Sequence, residues 1–391
     1  MPGLDVPGLS HRIPRRYRGF EERFVAGNRV LLLRDGEQAF PAMLEAIGGA
    51  RRQILLEMYW FDSDTIGQRF ARALSEAASR GVEVAVIYDA LGSYEANPAM
   101  FSSMRQAGVQ VIEYKPLIPW KKRFRLTRLS RRNHRKILVI DGDIGFTGGV
   151  NLSDRWLPES EGGQGWRDDM IRVHGAAVNG FIDCFLHTWQ REDGPPLRQL
   201  PVARSGPSGD QNVRVLAENH HRNRRQIVSA YLHQIYRARQ RVFITNAYFL
   251  PDPTVVRALK RAAARGVDVR VLLPGHSDVE VVRHASRAVY STLLKQGVRI
   301  FEWHKSILHA KTAVIDGRWS TIGTFNLDYQ SLRWNLEVNV GVWDEGFGAV
   351  MEASYLRDLA ESTEVNLHDF MFRPLGDRLL ERTLYRFRKF L

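Results

Sequence analysis

"NHRKILVIDG", Asn133 to Gly142, is the stretch on which the fold turns. Ile137, Leu138, Val139 and Ile140 form an unbroken aliphatic run, the kind found in a strand covered on both faces. His134, Arg135 and Lys136 stand directly before it. Side chains at i and i+2 of an extended chain share a face, so His134 and Lys136 project together from the edge of a core strand. An imidazole beside an ammonium group is suited to holding a phosphate.

The same words return later in the chain. "HRKILVIDG" (134–142) is echoed by "HAKTAVIDG" (309–317), "ASRGVEVAVIYD" (78–89) by "AARGVDVRVLLP" (263–274), and "QAGVQVIEY" (106–114) by "KQGVRIFEW" (295–303). The order is conserved, so the chain is two copies of one α/β unit. Within each copy, helical segments such as "GQRFARALSEAASR" and "TVVRALKRAAAR" alternate with short β-branched runs. That alternation predicts a mostly parallel mixed sheet flanked by helices in each of two pseudo-symmetric modules. The predicted organisation is an N-terminal extension (1–25), a first module (26–195), a Pro/Gly/Ser-rich linker (196–211), a second module (212–368) and a C-terminal segment (369–391).

Spacing exposes one asymmetry. From Gly108 to His134 is 26 residues, whereas from Gly297 to His309 is 12. The surplus lies within a basic insertion, 115–133, carrying Lys115, Lys121, Lys122, Arg123, Arg125, Arg128, Arg131 and Arg132 with no acidic residue. It reads as a collar for anionic lipid headgroups, each cation near such a surface being worth about 1 kcal/mol, or as a solvated face.

Both copies spell His-x-Lys-x4-Asp: His134, Lys136, Asp141 and His309, Lys311, Asp316. With 12 His and 9 Lys in 391 residues, one such match is expected by chance roughly 0.02 times. Each continues to a glycine-containing turn and an asparagine, "TGGVN" ending at Asn151 and "IGTFN" ending at Asn326. Two half-sites meeting across a pseudo-twofold axis would give a phosphodiester the charge and donors of Lys136, Lys311, Asn151 and Asn326. One neutral imidazole could attack phosphorus while the other, protonated, serves the leaving alcohol. Each His wants a carboxylate on its second nitrogen, and Asp168 in "GWRDDMIRV" and Glu337 in "WNLEVNVGV" are the candidates. Asp141 and Asp316 end their strands just before Gly, so a turn role competes with a catalytic one there. The sequence shows no HExxH or carboxylate cluster, and no metal or other cofactor is expected.

The net charge of +13 points to an anionic partner. Cys184 is the lone cysteine and reads as core filling, in keeping with a reducing compartment. No apolar run is long enough to span a membrane.

The doubled motif and its flanks, "GNRVLLLRDGEQAFPAMLEAIGGA", "LLEMYWF", "ITNAYFLPD", "GTFNLDYQSL" and "SLRWNLEVNVGVWD", make nearly the whole chain resemble the phospholipase D superfamily. Within it the chain is similar to bacterial cardiolipin synthases of the shorter B-type, which lack N-terminal membrane helices. The resemblance implies one active site at the interface of two α/β halves and phosphatidyl transfer through a phosphohistidine, with His134 as nucleophile and His309 as acid/base. It implies phosphatidylglycerol or a similar donor, an acceptor that is phosphatidylglycerol or a small alcohol such as glycerol, and a cytoplasmic protein peripheral on the inner face of the bacterial membrane. A phospholipase D-type hydrolase, or a nuclease, is the alternative; nucleic acid is the less expected partner. One departure is Gly149 where many members carry Ser, against Thr324 in the second copy, which predicts a hydroxyl missing from one side of the phosphate.

Tyr59 and Tyr248 occupy matching places and would line the entrance, and Trp166 and Trp334 would wall the cleft or fill the core. The C-terminus, "DRLLERTLYRFRKFL", puts Leu380, Leu384, Phe387 and Leu391 on one helical stripe amid arginines. It either docks on its own domain or lies in a membrane interface facing phosphatidylglycerol or cardiolipin.

Overall fold

The computed structural model describes residues 13–17, 23–117, 131–198, 208–218 and 225–391. Each half lays down seven strands in the same order. In the first half they are β1 (Val25–Arg34), β2 (Gln53–Met58), β3 (Glu83–Asp89), β4 (Gln110–Tyr114), β5 (Ile137–Ile140), β6 (Ile144–Gly148) and β7 (Asp169–His174). In the second they are β8 (Gln211–Glu218), β9 (Arg241–Asn246), β10 (Asp268–Pro274), β11 (Arg299–Trp303), β12 (Lys311–Ile315), β13 (Trp319–Gly323) and β14 (Glu337–Trp343), with a short β15 (Ser362–Glu364) at one edge. The strand order is β15-β11-β10-β9-β12-β13-β14-β8-β1-β7-β6-β5-β2-β3-β4. Read outward from the β8/β1 junction it is the same in both directions, so the duplication in sequence is a duplication in space.

The expected strand sense needs correction. Among the described strands only β2–β3, β3–β4, β9–β10 and β10–β11 pair in parallel; the other strand pairings are antiparallel, including β5 with both β2 and β6. Helical crossovers exist only where the sequence alternates, as at Thr65–Ser79 and Pro253–Ala264. After β5 and β12 the chain instead turns through Asp141-Gly142 (φ 53° and 74°) and Asp316-Gly317 (φ 53° and 64°). Such left-handed Asp-Gly pairs favour tight hairpins, and hairpins make antiparallel neighbours.

Burial on both faces explains the opening run. Ile137 and Val139 enter the cluster between the halves, with Phe181, Phe185, Val314, Val338 and Tyr355. Leu138 and Ile140 point the other way, into an outer core with Phe40, Phe70, Leu74 and Met104. Val314 faces the central cluster while Ala313 and Ile315 face the second outer core. The layers are therefore helices, sheet, the two helices Asn179–Arg191 and Glu345–Ala360, sheet, and helices. Each fully buried Ile, Leu or Val contributes about 1.5–3 kcal/mol, and a one-residue slip of register would exchange its two faces.

Lys115 and Arg132 close the base of the basic insertion. The Arg132 guanidinium donates to the carbonyls of Tyr114 and Lys115, and Lys115 donates to that of Arg131. Lys121, Lys122, Arg123, Arg125 and Arg128 of the expected collar lie outside the described residues, as do 199–207 of the linker. The C-terminal helix Leu375–Arg386 docks on its own domain through Leu384, which with Leu391 packs against Leu250, Val282 and Ala285.

Candidate active site

The two motifs meet where the halves exchange backbone. Asn133 bridges to Leu336 and Leu308 to Arg167; the His134 amide donates to the Leu336 carbonyl at 3.0 Å and the His309 amide to the Arg167 carbonyl at 2.8 Å. Each histidine is thereby seated beside the residue that precedes the other half's carboxylate. The pairing is crossed: His134 Nδ1 lies 3.0 and 3.1 Å from the Glu337 oxygens, and His309 Nδ1 lies 2.7 Å from Asp168 Oδ2. The carboxylate downstream of each histidine serves the histidine of the other half, a connection that spacing along one copy does not reveal.

The shared face of each His-x-Lys pair is as expected. Lys136 donates to the His134 carbonyl at 3.0 Å, and Lys311 to that of His309. The Tyr59 ring stands edge-on to His134 at 4.9 Å with Lys136 Nζ over it at 5.1 Å; Tyr248 does the same for His309 and Lys311 at 6.2 and 6.0 Å. All four motif side chains are buried.

Burial and mutual repulsion leave this cluster poised for an anion. Burial pushes Lys136 down to about 7, and the nearby Lys311 adds to the shift. Burial pushes Lys311 down to about 8 against the pull of Asp168. Burial likewise lowers His134 to about 4, with Glu337 opposing and Lys136 assisting. His309 is lowered by burial and by Lys311, while Asp168 resists. Burial would raise Asp168 and Glu337, but His309 on one and His134 on the other outweigh it, so both stay below the ordinary carboxylate range. Ionised carboxylates accept from Nδ1–H, which leaves each Nε2 lone pair as the reactive position.

The carboxylates are held differently. Glu337 accepts from the hydroxyls of Thr324 (2.5 Å) and Ser331 (2.7 Å) as well as from His134. Asp168 accepts from the Trp156 indole (3.0 Å) and the Asp169 amide (2.8 Å) as well as from His309. The Thr324 hydroxyl therefore serves a carboxylate, not the phosphate, which corrects the expected role. In the first half a Cβ at Gly149 would come within 2.0 Å of Asp168 Oδ1, so glycine there makes room for the carboxylate and the indole N–H replaces the hydroxyl.

Of the two roles open to Asp141 and Asp316, catalytic or turn, the structure shows that of turn anchor. Asp141 accepts from the amides of Arg51, Arg52 and Gln53, and Asp316 from those of Arg239, Gln240 and Arg241, at 2.7–2.9 Å. They sit at the far ends of β5 and β12 from the imidazoles, with their oxygens fully spent on backbone.

Both asparagines are buried beside the site. Asn151 Oδ1 accepts from the Trp60 amide at 3.2 Å, while Asn326 Oδ1 has no partner among the described residues. Trp166 reaches His309 at 5.8 Å and is joined by Trp156 at 5.4 Å, which sequence reasoning missed. Trp334 instead lies under Arg131 at 5.3 Å. Also missed was Arg135, fully buried, which donates to the carbonyls of Glu337, Cys184 and Glu218 and so bolts the halves together beside the motif. Its counterpart is Ala310, so the repeat gave no signal.

A family described as "Cardiolipin synthase, PLD-like domain" matches residues 43–162 and 231–359, one stretch in each half and together more than half of the chain. A cardiolipin synthase from Geobacillus sp. (strain WCH70) is 35% identical over 353 residues, 90% of this chain and 70% of that protein. One from Geobacillus thermodenitrificans (strain NG80-2) is 34% identical over 383 residues, 96% of this chain and 76% of that protein. Among solved structures, the phosphatidylserine synthase of Haemophilus influenzae Rd KW20 superposes with a TM-score of 0.70 at 13% identity, covering 94% of this chain and 97% of that one. That is a likeness of fold.

Proposed function

Because the chain belongs to the cardiolipin synthase family of phospholipase D-like proteins, we propose that its site passes a phosphatidyl group from one phosphatidylglycerol to a hydroxyl of a second through a phosphohistidine. The observation that carries this reading is the crossed pairing of two imidazole–carboxylate couples around two buried lysines. Lys136 and Lys311 receive the phosphodiester oxygens. His134, neutral at pH 7, attacks phosphorus through Nε2, and the P–O bond to the departing glycerol breaks. His309 gives that oxygen its proton; the 2.7 Å contact with Asp168 stabilises the imidazolium form that must do so. His309, now neutral, takes the proton of the incoming hydroxyl, whose oxygen attacks phosphorus and releases His134. Two phosphatidylglycerols become cardiolipin and glycerol.

The test is to incubate pure protein with labelled phosphatidylglycerol in vesicles containing a chelator and identify the products. Cardiolipin with an equal amount of glycerol is the expected result. Phosphatidic acid alone would convert the reading to a hydrolase, and inert lipid beside cleaved oligonucleotide would replace it with a nuclease.

The proposed partner is an anionic bilayer, met by the C-terminal segment. No helix among the described residues is long and apolar enough to cross a membrane. Phe372, Leu375, Leu379 and Phe390 are nevertheless 76%, 78%, 69% and 80% exposed, and Arg378, Arg382, Arg386 and Lys389 flank them. Of the expected stripe, Leu384 and Leu391 dock on the domain, while Leu380 and Phe387 are exposed with this face. An apolar face edged by arginines fits the plane of an anionic membrane. Replacing Leu375, Leu379 and Phe390 together by Ser should weaken sedimentation with phosphatidylglycerol vesicles by about 100-fold, at roughly 1 kcal/mol per side chain transferred to the interface, with an unchanged melting temperature. Undiminished sedimentation would reject this face.

A further inference from the structure

Where the chain runs on from Tyr248 and from Asn326 lies a cavity of about 180 Å³ whose walls include Leu250, Asp328, Tyr329, Arg333, Arg388 and Lys389. We propose that this cavity binds the phosphate of the acceptor lipid, a glycerophosphate headgroup distinct from the phosphodiester under attack. The inference rests on the phosphatidyl-transfer reading and deepens it, because an acceptor that is itself a phospholipid carries a second negative charge which the two histidine–lysine pairs do not accommodate.

Three observations support the assignment. The first is charge. Arg333, Arg388 and Lys389 converge from two separate segments, and none of them forms an ion pair with a carboxylate among the described residues. Arg333 Nε is buried without a hydrogen-bond partner among the described residues, and its guanidinium lies over the Tyr329 ring at 5.5 Å. A guanidinium so placed, with an unused buried donor, is ready for an oxyanion. The lining also carries two carboxylates, Asp252 and Asp328, against three cations. Asp252 accepts from the Thr254 amide at 2.8 Å and Asp328 from the Ser331 amide at 2.7 Å, each capping a helix.

The second is position. Leu250 follows two residues after Tyr248, whose ring meets His309, and its amide donates to the Leu327 carbonyl at 2.9 Å. Asp328 follows two residues after Asn326. Two residues of chain, at most about 7 Å between Cα atoms, separate these lining residues from Tyr248 and Asn326.

The third is size and setting. A drug-sized ligand needs about 300 Å³ or more, so this cavity takes a headgroup and leaves the acyl chains outside. Arg388 and Lys389 belong to the segment whose apolar side chains Leu379 and Phe390 stand in solvent. The headgroup would thus enter from the side that faces the bilayer.

The experiment compares two acceptors on one donor. Phosphatidylglycerol vesicles are incubated with radiolabelled glycerol, and labelled phosphatidylglycerol (transfer to glycerol, which has no phosphate) is counted beside cardiolipin (transfer to a lipid). The variant Arg333→Ala should lose cardiolipin formation by at least about 10-fold while keeping glycerol exchange and its melting temperature. Glycerol 3-phosphate should inhibit cardiolipin formation by the wild type and leave exchange untouched; inorganic phosphate with equal effect would assign the site to free phosphate and overturn the lipid-headgroup proposal. A cardiolipin-to-exchange ratio unchanged in the variant, or a parallel loss of both products, overturns the subsite and spares the transferase reading. Wild-type protein that exchanges glycerol yet makes no cardiolipin overturns the subsite and the lipid acceptor together. Absence of any phosphatidyl transfer overturns the function and the subsite with it.

Discussion

His134→Ala and His309→Ala should each lower cardiolipin formation by about 10⁴-fold or more, and the double variant should be no worse than either single one. Side chains that act in one sequence of proton and phosphoryl transfers are non-additive, because losing any member stops the whole sequence. The two variants should part company on a phosphatidyl ester of p-nitrophenol, whose leaving group needs no proton. His309→Ala should then release one equivalent of nitrophenolate and stall as a phosphatidyl–enzyme visible by mass spectrometry. His134→Ala should release none. The opposite outcome would exchange the roles of nucleophile and acid.

The pH profile follows from the same buried groups. His134, pushed down to about 4, stays neutral and nucleophilic at any pH above that. Lys136 and Lys311, pushed down to about 7 and 8 by burial, bind an anion only while protonated, so kcat/KM falls as pH rises through those values. With phosphatidylglycerol the fall begins earlier, because burial and Lys311 hold His309 below 6.5 and the first step needs its proton. With the nitrophenyl ester that requirement disappears, and the descending limb should move up to the lysine range. Identical limbs for the two substrates would remove His309 as the acid.

The sequence carried the site further than it carried the fold. A doubled His-x-Lys was legible because both copies keep it. The carboxylates Asp168 and Glu337 were legible as chemistry, but their crossed assignment was not, since it depends on Asn133 and Arg167 pairing with the opposite half. Strand sense went wrong for a local reason. Helix–strand alternation over residues 65–114 and 253–303 speaks for parallel pairing, whereas the "IDG" at 140–142 and 315–317 signals a turn without giving the sense of the strand that follows, which its left-handed pair makes antiparallel. Asp141 and Asp316 shared the motif with the histidines, and adjacency in sequence suggested adjacency in function. Four or five residues of extended chain, at about 3.3 Å each, carry them to the other edge of the sheet. Arg135 and Trp156 had no counterpart in the second copy, so comparing the copies could not find them.

Arg167→Met should be the most damaging single change outside the catalytic pairs, costing about 3–5 kcal/mol of stability. The Arg167 guanidinium joins Asp169 (2.8 and 3.1 Å) and Asp35 (3.2 Å) of the first half to Asp358 (2.7 and 2.9 Å) of the second. Among the described residues the three carboxylates share, besides Arg167, only one other cation, Arg34, which pairs with Asp358 at 2.5 Å and Asp35 at 3.4 Å, so losing Arg167 leaves three acids to a single guanidinium. Even with Arg167, burial pushes Asp169 up to about 6 and raises Asp35. An acid whose folded pKa is raised binds more protons folded than unfolded, so its folding penalty grows as pH climbs from the unfolded value of about 4 through the folded one. Removing Arg167 raises those folded values further and extends the penalty to higher pH. Urea denaturation should therefore show a larger deficit at pH 8 than at pH 5. Activity should fall with stability, because the Arg167 carbonyl receives the His309 amide and Asp168 follows it in the chain: the ion cluster that locks the halves together also sets the acid's carboxylate. Arg167→Lys keeps one charge but loses the fork that reaches three partners, and should recover less than half of the lost stability. A Met variant with wild-type denaturation curves at both pH values would show that the halves are held by the apolar layer alone.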